Sequence, residues 1–310
     1  MNDTATRRRN PGPTWGFRFL LAVQRLPRPL LRPLLMAGTA VAVGLMPVER
    51  GYSRAYLAHV LPRRPRWRDV WRHFSTYLEF LLLRLRVGGG EAPRVALDPE
   101  NSEAFETLIQ SGEPALFGTF HFGHSDLLGF LLSARDRRVA MIRLRVTNAD
   151  DTAMLEQQFA GAVSFIWVNQ PEDLIFALKA AVERGDSLAM QCDRLFTSKA
   201  EAFHFLGVRR LFPFTIYHLA VLFGRPVMFC FGLPDGVGGT RVCAAPLFRP
   251  DPALGREENF RRGRSHFQAV LARLEALVRA YPTLWFNFIP LNPEPESQPA
   301  PISPGSAARV

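Results

Sequence analysis

The residues best suited to chemistry lie in one short stretch, HFGHSD, from His121 to Asp126. It directly follows an apolar, β-favouring run at 115–120, so His121 is expected at the end of a strand. A carboxylate five positions later can accept the imidazole Nδ1–H and leave Nε2 to take a proton from a nucleophile. Inside one helix the two side chains would lie about 140° apart, so a loop through Gly123 must fold His121 back over Asp126. This arrangement suits His121 as a general base with Asp126 as its orienting carboxylate, although the spacing alone is a weak signal.

Other assignments within this stretch stay open. His124 is a rival base, although its position at the start of a helix favours an outward or capping orientation. Ser125 is as well placed to cap that helix as to act as a nucleophile. A histidine at a strand end is also often a hydrogen-bonded structural residue. The residue types alone therefore do not decide the site.

Composition limits the class of protein. With 47% hydrophobic residues the chain can bury a full core, which excludes a disordered or fibrous protein. The sequence contains no C-x-x-C pair and no zinc-ligand pattern, so neither a metal nor a redox centre is expected. Two of the three cysteines lie in apolar runs, which favours buried thiols in a reducing compartment; the three are Cys192, Cys230 and Cys243.

From residue 91, short β-favouring runs alternate with segments of helical period. The predicted strands are 115–120, 139–144, 163–168, 187–191, 226–232, 241–247 and 284–289, and the predicted helices are 101–110, 124–134, 150–160, 171–184, 213–223 and 257–280. This alternation predicts an α/β domain over 91–290, with a largely parallel or mixed central sheet flanked by helices. The tail, 291–310, is rich in Pro, Ser and Ala and is predicted to be disordered.

The positive charge of the chain is concentrated near its beginning. The chain has 38 Lys and Arg against 28 Asp and Glu, a net charge of +10. Residues 1–90 hold 16 arginines and four acids, a net charge of +12, whereas residues 91–310 have a net charge of −2. A basic region suggests a polyanionic partner. Nucleic acid is not expected, because the region lacks a recognisable nucleic-acid-binding motif and its leucines would be costly on a solvated groove.

The first 90 residues are also apolar, and the two properties interleave. Arg18, Arg25, Arg28 and Arg32 alternate with aromatic and leucine side chains, which is typical of a surface lying among anionic lipid headgroups. The 16 uncharged residues at 33–48 fall short of the roughly 18–20 that span a bilayer. They predict a re-entrant or interfacial hairpin, or a short span, on the cytoplasmic side. A basic helical subdomain packed on the rest of the chain is the alternative.

Four further blocks follow the histidine block in an order that resembles a known family. FGTFHFGHSDLLGF is followed by VAMIRLRVTN, DLIFALKAAVERGDSLAMQCDR, EAFHFLGVRRLFPFTIYHLAVLFGRPVMF and YPTLWFNF. These blocks, over residues 114–288, are similar to those of the bacterial lipid A biosynthesis acyltransferases and their relatives in the lysophospholipid acyltransferase superfamily. The sequence departs from the lipid A branch at Asp126, where glutamate is commoner, and at Asp193-Arg194, where Asp-Gln is usual. The resemblance is firmer for the superfamily than for a lipid A substrate.

The resemblance implies acyl transfer from a thioester donor, acyl carrier protein or coenzyme A, to a hydroxyl or amine of a lipid acceptor. His121 would deprotonate the acceptor as it attacks the thioester carbonyl, with Asp126 orienting the imidazole. No acyl-enzyme and no cofactor are needed. The acceptor stays open between a lipid A precursor, an amino-acid lipid, and a polyene or other specialised lipid. The implied location is the cytoplasmic face of a bacterial inner membrane.

The resemblance also nominates residues that would bind substrate. Arg143, Arg145 and Arg194 are the cations available for an acceptor phosphate or an oxyanion, with a surface ion pair as the alternative for each. Asp193 would face the active site, or would only pair with Arg194 or Arg209. Four phenylalanines could line an acyl-chain tunnel or belong to the ordinary core; these are Phe203, Phe205, Phe212 and Phe214.

Two other functions stay open at this level. A hydrolase could use the same base to direct water at a thioester or ester. A catalytically silent protein could keep only the membrane-bound scaffold, although the presence of His121, Asp126 and Asp193 argues against it.

Overall fold

A computed structural model describes residues 14–88, 91, 94–133, 135, 137–143, 163–168, 171–195, 200–236 and 238–295. Four helices come first: α1 (Thr14–Val23), α2 (Arg28–Leu45), α3 (Pro47–Val60) and α4 (Trp67–Gly88). The predicted helical character of the amino-terminal region is therefore confirmed over these residues.

A seven-stranded mixed sheet forms the centre of the α/β domain, in the order β1-β9-β8-β2-β5-β3-β4. Its strands are β1 (Val95–Leu97), β2 (Leu116–Thr119), β3 (Val139–Arg143), β4 (Val163–Trp167), β5 (Ser187–Gln191), β8 (Val227–Pro234) and β9 (Thr240–Ala244). β8 and β9 are antiparallel, and the other neighbouring strands are parallel. β6 (Ala200–Phe205) and β7 (Val208–Pro213) form a separate antiparallel hairpin. The predicted mixed α/β fold is confirmed.

Within the described residues, five helices accompany the strands: α5 (Ser102–Gln110), α6 (Leu128–Ser133), α7 (Pro171–Glu183), α8 (Thr215–Phe223) and α9 (Arg256–Ala280), with a 3₁₀ turn at Ser125–Leu127. The predicted helix at 150–160 lies outside the described residues. The predicted strand at 284–289 is wrong as a sheet strand: Trp285 makes only an isolated bridge to Phe122. Residues 284–289 run beside the loop after β2 instead of joining the sheet.

α4 joins the amino-terminal helices to the α/β domain. Its Val70, Phe74 and Phe80 lie in the main hydrophobic core, together with Trp285 and Phe288. Further along the same helix, side chains pack against α1 and α2 in a smaller cluster made of Leu20, Val23, Leu31, Leu82 and Leu85. One face of α4 is thus part of the domain that carries the histidine block.

Residues 33–48 fall in α2 and at the start of α3. Of the helices described, none is by itself long and apolar enough to cross a membrane. The segments Pro29–Leu45 and Pro47–Val60 together have the length and composition for a crossing, but they are bent by 96° at the break between them. Several large apolar side chains of this region are exposed, namely Leu21, Leu30, Leu34, Met36, Val41, Leu45 and Val48.

The beginning of the predicted disordered tail is held against β7. Leu211 N–H donates to the Pro293 carbonyl at 2.8 Å, and Asn292 Nδ2 donates to the Leu211 carbonyl at 2.8 Å. The Arg210 guanidinium also donates to the Asn292 carbonyl at 3.0 Å. Residues 296–310 lie outside the described residues, so disorder there stays a prediction.

Candidate active site

Two neighbouring parallel strands bring His121 and Asp193 together. β2 and β5 are in register at Thr119 and Gln191, and His121 and Asp193 each follow that pair by two positions. His121 Nδ1 lies 2.7 Å from Asp193 Oδ1, and the His121 backbone N–H donates to Asp193 Oδ2 at 2.9 Å. Because an ionised carboxylate only accepts hydrogen bonds, Nδ1 carries the proton and Nε2 holds the lone pair. The imidazole has the tautomer that a general base needs.

A third donor completes the environment of the carboxylate. The Trp285 indole Nε1–H donates to Asp193 Oδ2 at 2.9 Å. Burial would raise the pKa of Asp193, but the positive charge that His121 carries when it is protonated, the hydrogen bond from its imidazole, and the charge of nearby Arg194 hold that pKa below its usual range. The Asp193 side chain is 2% exposed and that of His121 is 21% exposed. The pair thus has a buried, ionised acceptor and a solvent-accessible base.

The partner of His121 Nδ1 differs from the one predicted. The sequence spacing assigned this role to Asp126, whereas the Nδ1–H bonds to Asp193. Asp126 lies in the 3₁₀ turn, and its side chain is outside the described part of the structure. A role for Asp126 stays a prediction, but its expected position on Nδ1 is corrected. Spacing along the chain does not indicate this contact, because Asp193 follows the neighbouring strand β5, 72 residues beyond His121.

A close approach of two glycines fixes the loop that follows His121. Gly123 has a positive φ of 53°, and a Cβ there would lie 2.0 Å from the Gly232 carbonyl oxygen on β8. The loop is also tied to the segment around Trp285: Gly123 N–H donates to the Leu284 carbonyl at 2.7 Å, and Phe286 N–H donates to the His121 carbonyl at 2.8 Å. The backbone N–H of His121 thus bonds to Asp193 and its carbonyl oxygen bonds to the segment around Trp285.

A polar cleft of about 110 Å³ opens beside His121. Its wall includes three arginines from different elements: Arg143 at the end of β3, Arg194 after β5, and Arg84 of α4. Arg194 Nη2 donates to the Phe286 carbonyl at 3.3 Å, and its buried Nε has no hydrogen-bond partner within the described structure. Three guanidinium groups around one small cleft favour an anionic ligand.

A narrower apolar cavity of about 20 Å³ adjoins this cleft and shares Ser125, Arg143 and Gln191 with it. It lies between α6 and the β2, β3 and β5 strands, and most of its other lining side chains are aliphatic: Leu128, Leu132, Met141, Ile142, Ala189 and Met190. The carboxyl ends of the strands thus carry a charged cleft with an apolar extension.

The remaining predicted residues have different environments. His124 turns inward: its Nδ1 lies 2.8 Å from the Thr240 hydroxyl, its ring stacks on Phe80, and burial lowers its pKa to about 4. The predicted outward or capping orientation of His124 is therefore wrong. The Ser125 hydroxyl donates to the Phe122 carbonyl at 2.5 Å instead of capping the following turn. Arg145 lies outside the described residues.

The packing decides the roles of the four phenylalanines and of Asp193. Phe203, Phe205, Phe212 and Phe214 all lie in the main hydrophobic core. Phe203 and Phe214 pack against Phe267, and Phe205 packs edge-on to Trp285. This is the environment of core residues rather than of a tunnel wall. Asp193 bonds to His121, so the alternative that it would only pair with Arg194 or Arg209 is wrong.

The sequence reasoning missed Arg84 and Trp285. In the sequence, Arg84 contributes only to the basic charge of the amino-terminal region, because nothing there places α4 beside the strand ends. Trp285 stands in the YPTLWFNF block, and that match is the signal that could have identified it. A buried indole needs an acceptor, and an Asp at the end of a buried strand needs donors.

The sequence matches no protein-family model and no curated protein. The fold is similar to that of a crystal structure described as the 1-acyl-sn-glycerophosphate (LPA) acyltransferase, PlsC, from Thermotoga maritima. The TM-score is 0.37 and the sequence identity is 13%, over 81% of this chain and 98% of that chain.

Proposed function

We propose that this protein is a membrane-associated acyltransferase that moves a fatty acyl chain from a thioester to a hydroxyl or amine of a lipid acceptor. The hydrogen bond of 2.7 Å between His121 Nδ1 and Asp193 Oδ1 is the observation that carries the proposal. It gives an accessible imidazole the tautomer and the charge partner of a general base. The ordered sequence blocks that resemble lipid acyltransferases support the same reaction.

His121 Nε2 takes the proton of the acceptor as its oxygen or nitrogen attacks the thioester carbonyl. The new C–O or C–N bond forms, and the tetrahedral intermediate collapses with cleavage of the C–S bond. The proton then passes from His121 to the departing thiolate. Asp193 stays ionised and stabilises the imidazolium that forms between these steps. Acyl carrier protein or coenzyme A would supply the thioester.

The cleft and its apolar extension support the two halves of this reaction. Arg84, Arg143 and Arg194 suit a phosphate or carboxylate of the acceptor headgroup, or the oxyanion of the intermediate. The aliphatic lining of the small cavity beside Ser125 suits an apolar group next to the reacting carbonyl. The acceptor would then be an anionic lipid. A lipid A precursor and a specialised lipid are the two candidates for its identity.

The amino-terminal helices support membrane attachment. Exposed leucines, such as Leu30, Leu34 and Leu45, occur in the same region as the exposed Arg18, Arg25 and Arg32. Apolar side chains would enter the acyl boundary while the arginines contact anionic headgroups. We place this contact on the cytoplasmic face of a bacterial inner membrane.

The base is tested by His121→Ala, with the exposed His204→Ala as a matched control. We expect His121→Ala to lower kcat for acyl transfer by about 1,000-fold, and His204→Ala to leave it within about twofold. Acylated lipid and free fatty acid are both measured, with and without acceptor. Full activity of the folded His121→Ala protein would refute the assignment. Release of fatty acid without acceptor consumption would indicate a hydrolase.

Membrane attachment is tested by sedimentation with vesicles that contain anionic lipid. Replacing Leu30, Leu34 and Leu45 by Asn should reduce the bound fraction, because these side chains would no longer gain from burial in lipid. Ile175 and Phe176 on α7 are also strongly exposed, so their replacement by Ser is the control and should leave binding as it is. Equal binding of the leucine variant and the unmodified protein would overturn the proposal.

A further inference from the structure

A series of hydrogen bonds, joined through the covalent structure of Trp285, runs from the amino-terminal helices to the candidate base. The Ser53 hydroxyl on α3 lies 2.8 Å from His73 Nδ1 on α4. His73 Nε2 lies 2.9 Å from the Trp285 carbonyl oxygen. The Trp285 indole donates to Asp193 Oδ2. The other oxygen of the same carboxylate, Oδ1, bonds to His121 Nδ1. Each contact is within ordinary hydrogen-bond distance.

The chemistry of these groups fixes the direction of each bond. A carbonyl oxygen only accepts, so His73 Nε2 carries the proton and Nδ1 accepts from the Ser53 hydroxyl. Burial lowers the pKa of His73 to about 4, which keeps this neutral tautomer at physiological pH. His73 therefore has one proton, and it is used to hold the backbone of Trp285.

Packing leaves Trp285 little freedom. Its side chain is 2% exposed, and the rings of Tyr56 and Phe205 contact it edge-on from two elements. The Tyr56 hydroxyl on α3 donates to the Pro282 carbonyl at 2.8 Å, three positions before Trp285. His73 stacks on Phe288, with 4.3 Å between ring centroids. α3 and α4 thus hold both sides of the segment that carries the indole.

We propose that Trp285 and His73 are positioning residues: they hold the Asp193 carboxylate in line with His121 and make the amino-terminal helices part of the catalytic unit. This inference rests on the proposed role of His121. Asp193 Oδ2 receives both the indole N–H and the His121 backbone N–H, so the other oxygen, Oδ1, faces Nδ1. Without the indole, His121 itself would provide both remaining bonds, and the plane of the carboxylate would be less constrained.

The first test is Trp285→Phe, which keeps an aromatic ring but removes the indole donor together with part of the buried ring volume. We expect kcat to fall about tenfold with KM within about twofold, and the acid limb of the pH–kcat profile to move to higher pH. The movement follows because a carboxylate that has lost a donor stabilises the imidazolium more strongly. The exposed Trp67→Phe is the control and should change neither quantity. An unchanged kcat and pH profile in Trp285→Phe would overturn the proposal.

The second test addresses His73 through a signal that does not depend on activity. The chain has five tryptophans, and the indole signal missing in the ¹⁵N–¹H spectrum of Trp285→Phe belongs to Trp285. That signal should shift in Asp193→Asn and in His73→Leu, and should return towards its original position in His73→Gln, whose side-chain amide restores a donor. The kcat of the His73 variants should follow the same order.

The outcomes separate the two proposals. If His121→Ala keeps full activity, the proposed function fails, while the Trp285 signal still reports whether His73 positions the indole. If His121→Ala is inactive but His73→Leu changes neither the Trp285 signal nor kcat, the positioning role of His73 fails alone. Should His73→Leu not fold, His73→Gln and Trp285→Phe still decide the question, because a purely structural role would lower stability without moving the pH profile.

Discussion

His73 and His121 are each held by a hydrogen bond at Nδ1, and their chemistry differs. His121 Nδ1 bonds to the Asp193 carboxylate, and the side chain lines the arginine-bearing cleft. His73 Nδ1 accepts from Ser53, and its Nε2 bonds to a backbone carbonyl. Ser53 and His73 are both completely buried. His121 has an anionic partner and is accessible to a ligand in the cleft, whereas His73 has neither an anionic partner nor access.

This difference shows why a residue pair does not by itself indicate catalysis. A serine within 2.8 Å of a histidine would suggest a nucleophile and its base. In the Ser53–His73 pair the serine donates its proton towards Nδ1, but Nε2 already donates to a carbonyl, and no substrate can reach the buried hydroxyl. Burial also disfavours the imidazolium that a base must become. Access and a stabilising charge distinguish the base from the positioning residue.

The largest expected effect comes from removing the charge that distinguishes the His121 centre. Asp193→Asn should lower kcat by about 100-fold or more, because the neutral amide cannot stabilise the imidazolium and can donate to Nδ1, which moves the proton to Nε2. The measurement is kcat and KM for acyl transfer by the folded variant. Activity within a few-fold of the unmodified protein would mean that another group orients His121, with Asp126 the first candidate.

Asp186→Asn is the matched control for Asp193→Asn. Asp186 is also a buried carboxylate, it pairs with Arg184 at 2.8 Å, and it precedes β5 where Asp193 follows it. Loss of this charge should lower the free energy of unfolding while leaving kcat within about threefold. If both variants lost activity equally, the effect of Asp193→Asn would reflect stability rather than catalysis.

The fold could be predicted from the sequence largely because local patterns decided it. The runs 139–144, 163–168 and 187–191 became β3, β4 and β5 almost residue for residue, since short apolar runs between turn signals form buried strands. The β6–β7 hairpin was not predicted, and 284–289 was predicted as a strand. That apolar segment packs beside the histidine loop, which only tertiary structure determines.

The candidate site could be predicted only in part, for a similar reason. His121 could be predicted because it directly follows an apolar run typical of a strand, and functional residues often lie at the carboxyl ends of strands. Asp193 was nominated, but its contact with Nδ1 depends on β2 and β5 being neighbours, and strand order cannot be obtained from periodicity. The same holds for Arg84 and His73, whose contributions depend on how α4 packs against the sheet.

A smaller effect separates the two histidines through the pH dependence of stability. The pKa of His73 is lowered by burial from 6.5 to about 4, so below pH 6.5 the unfolded chain binds a proton that the folded protein excludes. The contribution of His73 to the free energy of unfolding is therefore fully present above about pH 6.5 and is lost as the pH falls towards 4. Between pH 7 and pH 5, His73 should reduce the free energy of unfolding by about 2 kcal/mol.

Denaturant unfolding of the unmodified protein and of His73→Gln at pH 7 and pH 5 measures this contribution. The variant should lose about 2 kcal/mol less over that interval, whatever its stability at pH 7, because glutamine does not titrate. His124, whose pKa is also lowered to about 4, remains in both proteins and cancels in the difference. An equal loss in the two proteins would mean that His73 can be protonated in the folded state. Its Nδ1 would then be a donor, and the distinction drawn between His73 and His121 would fail.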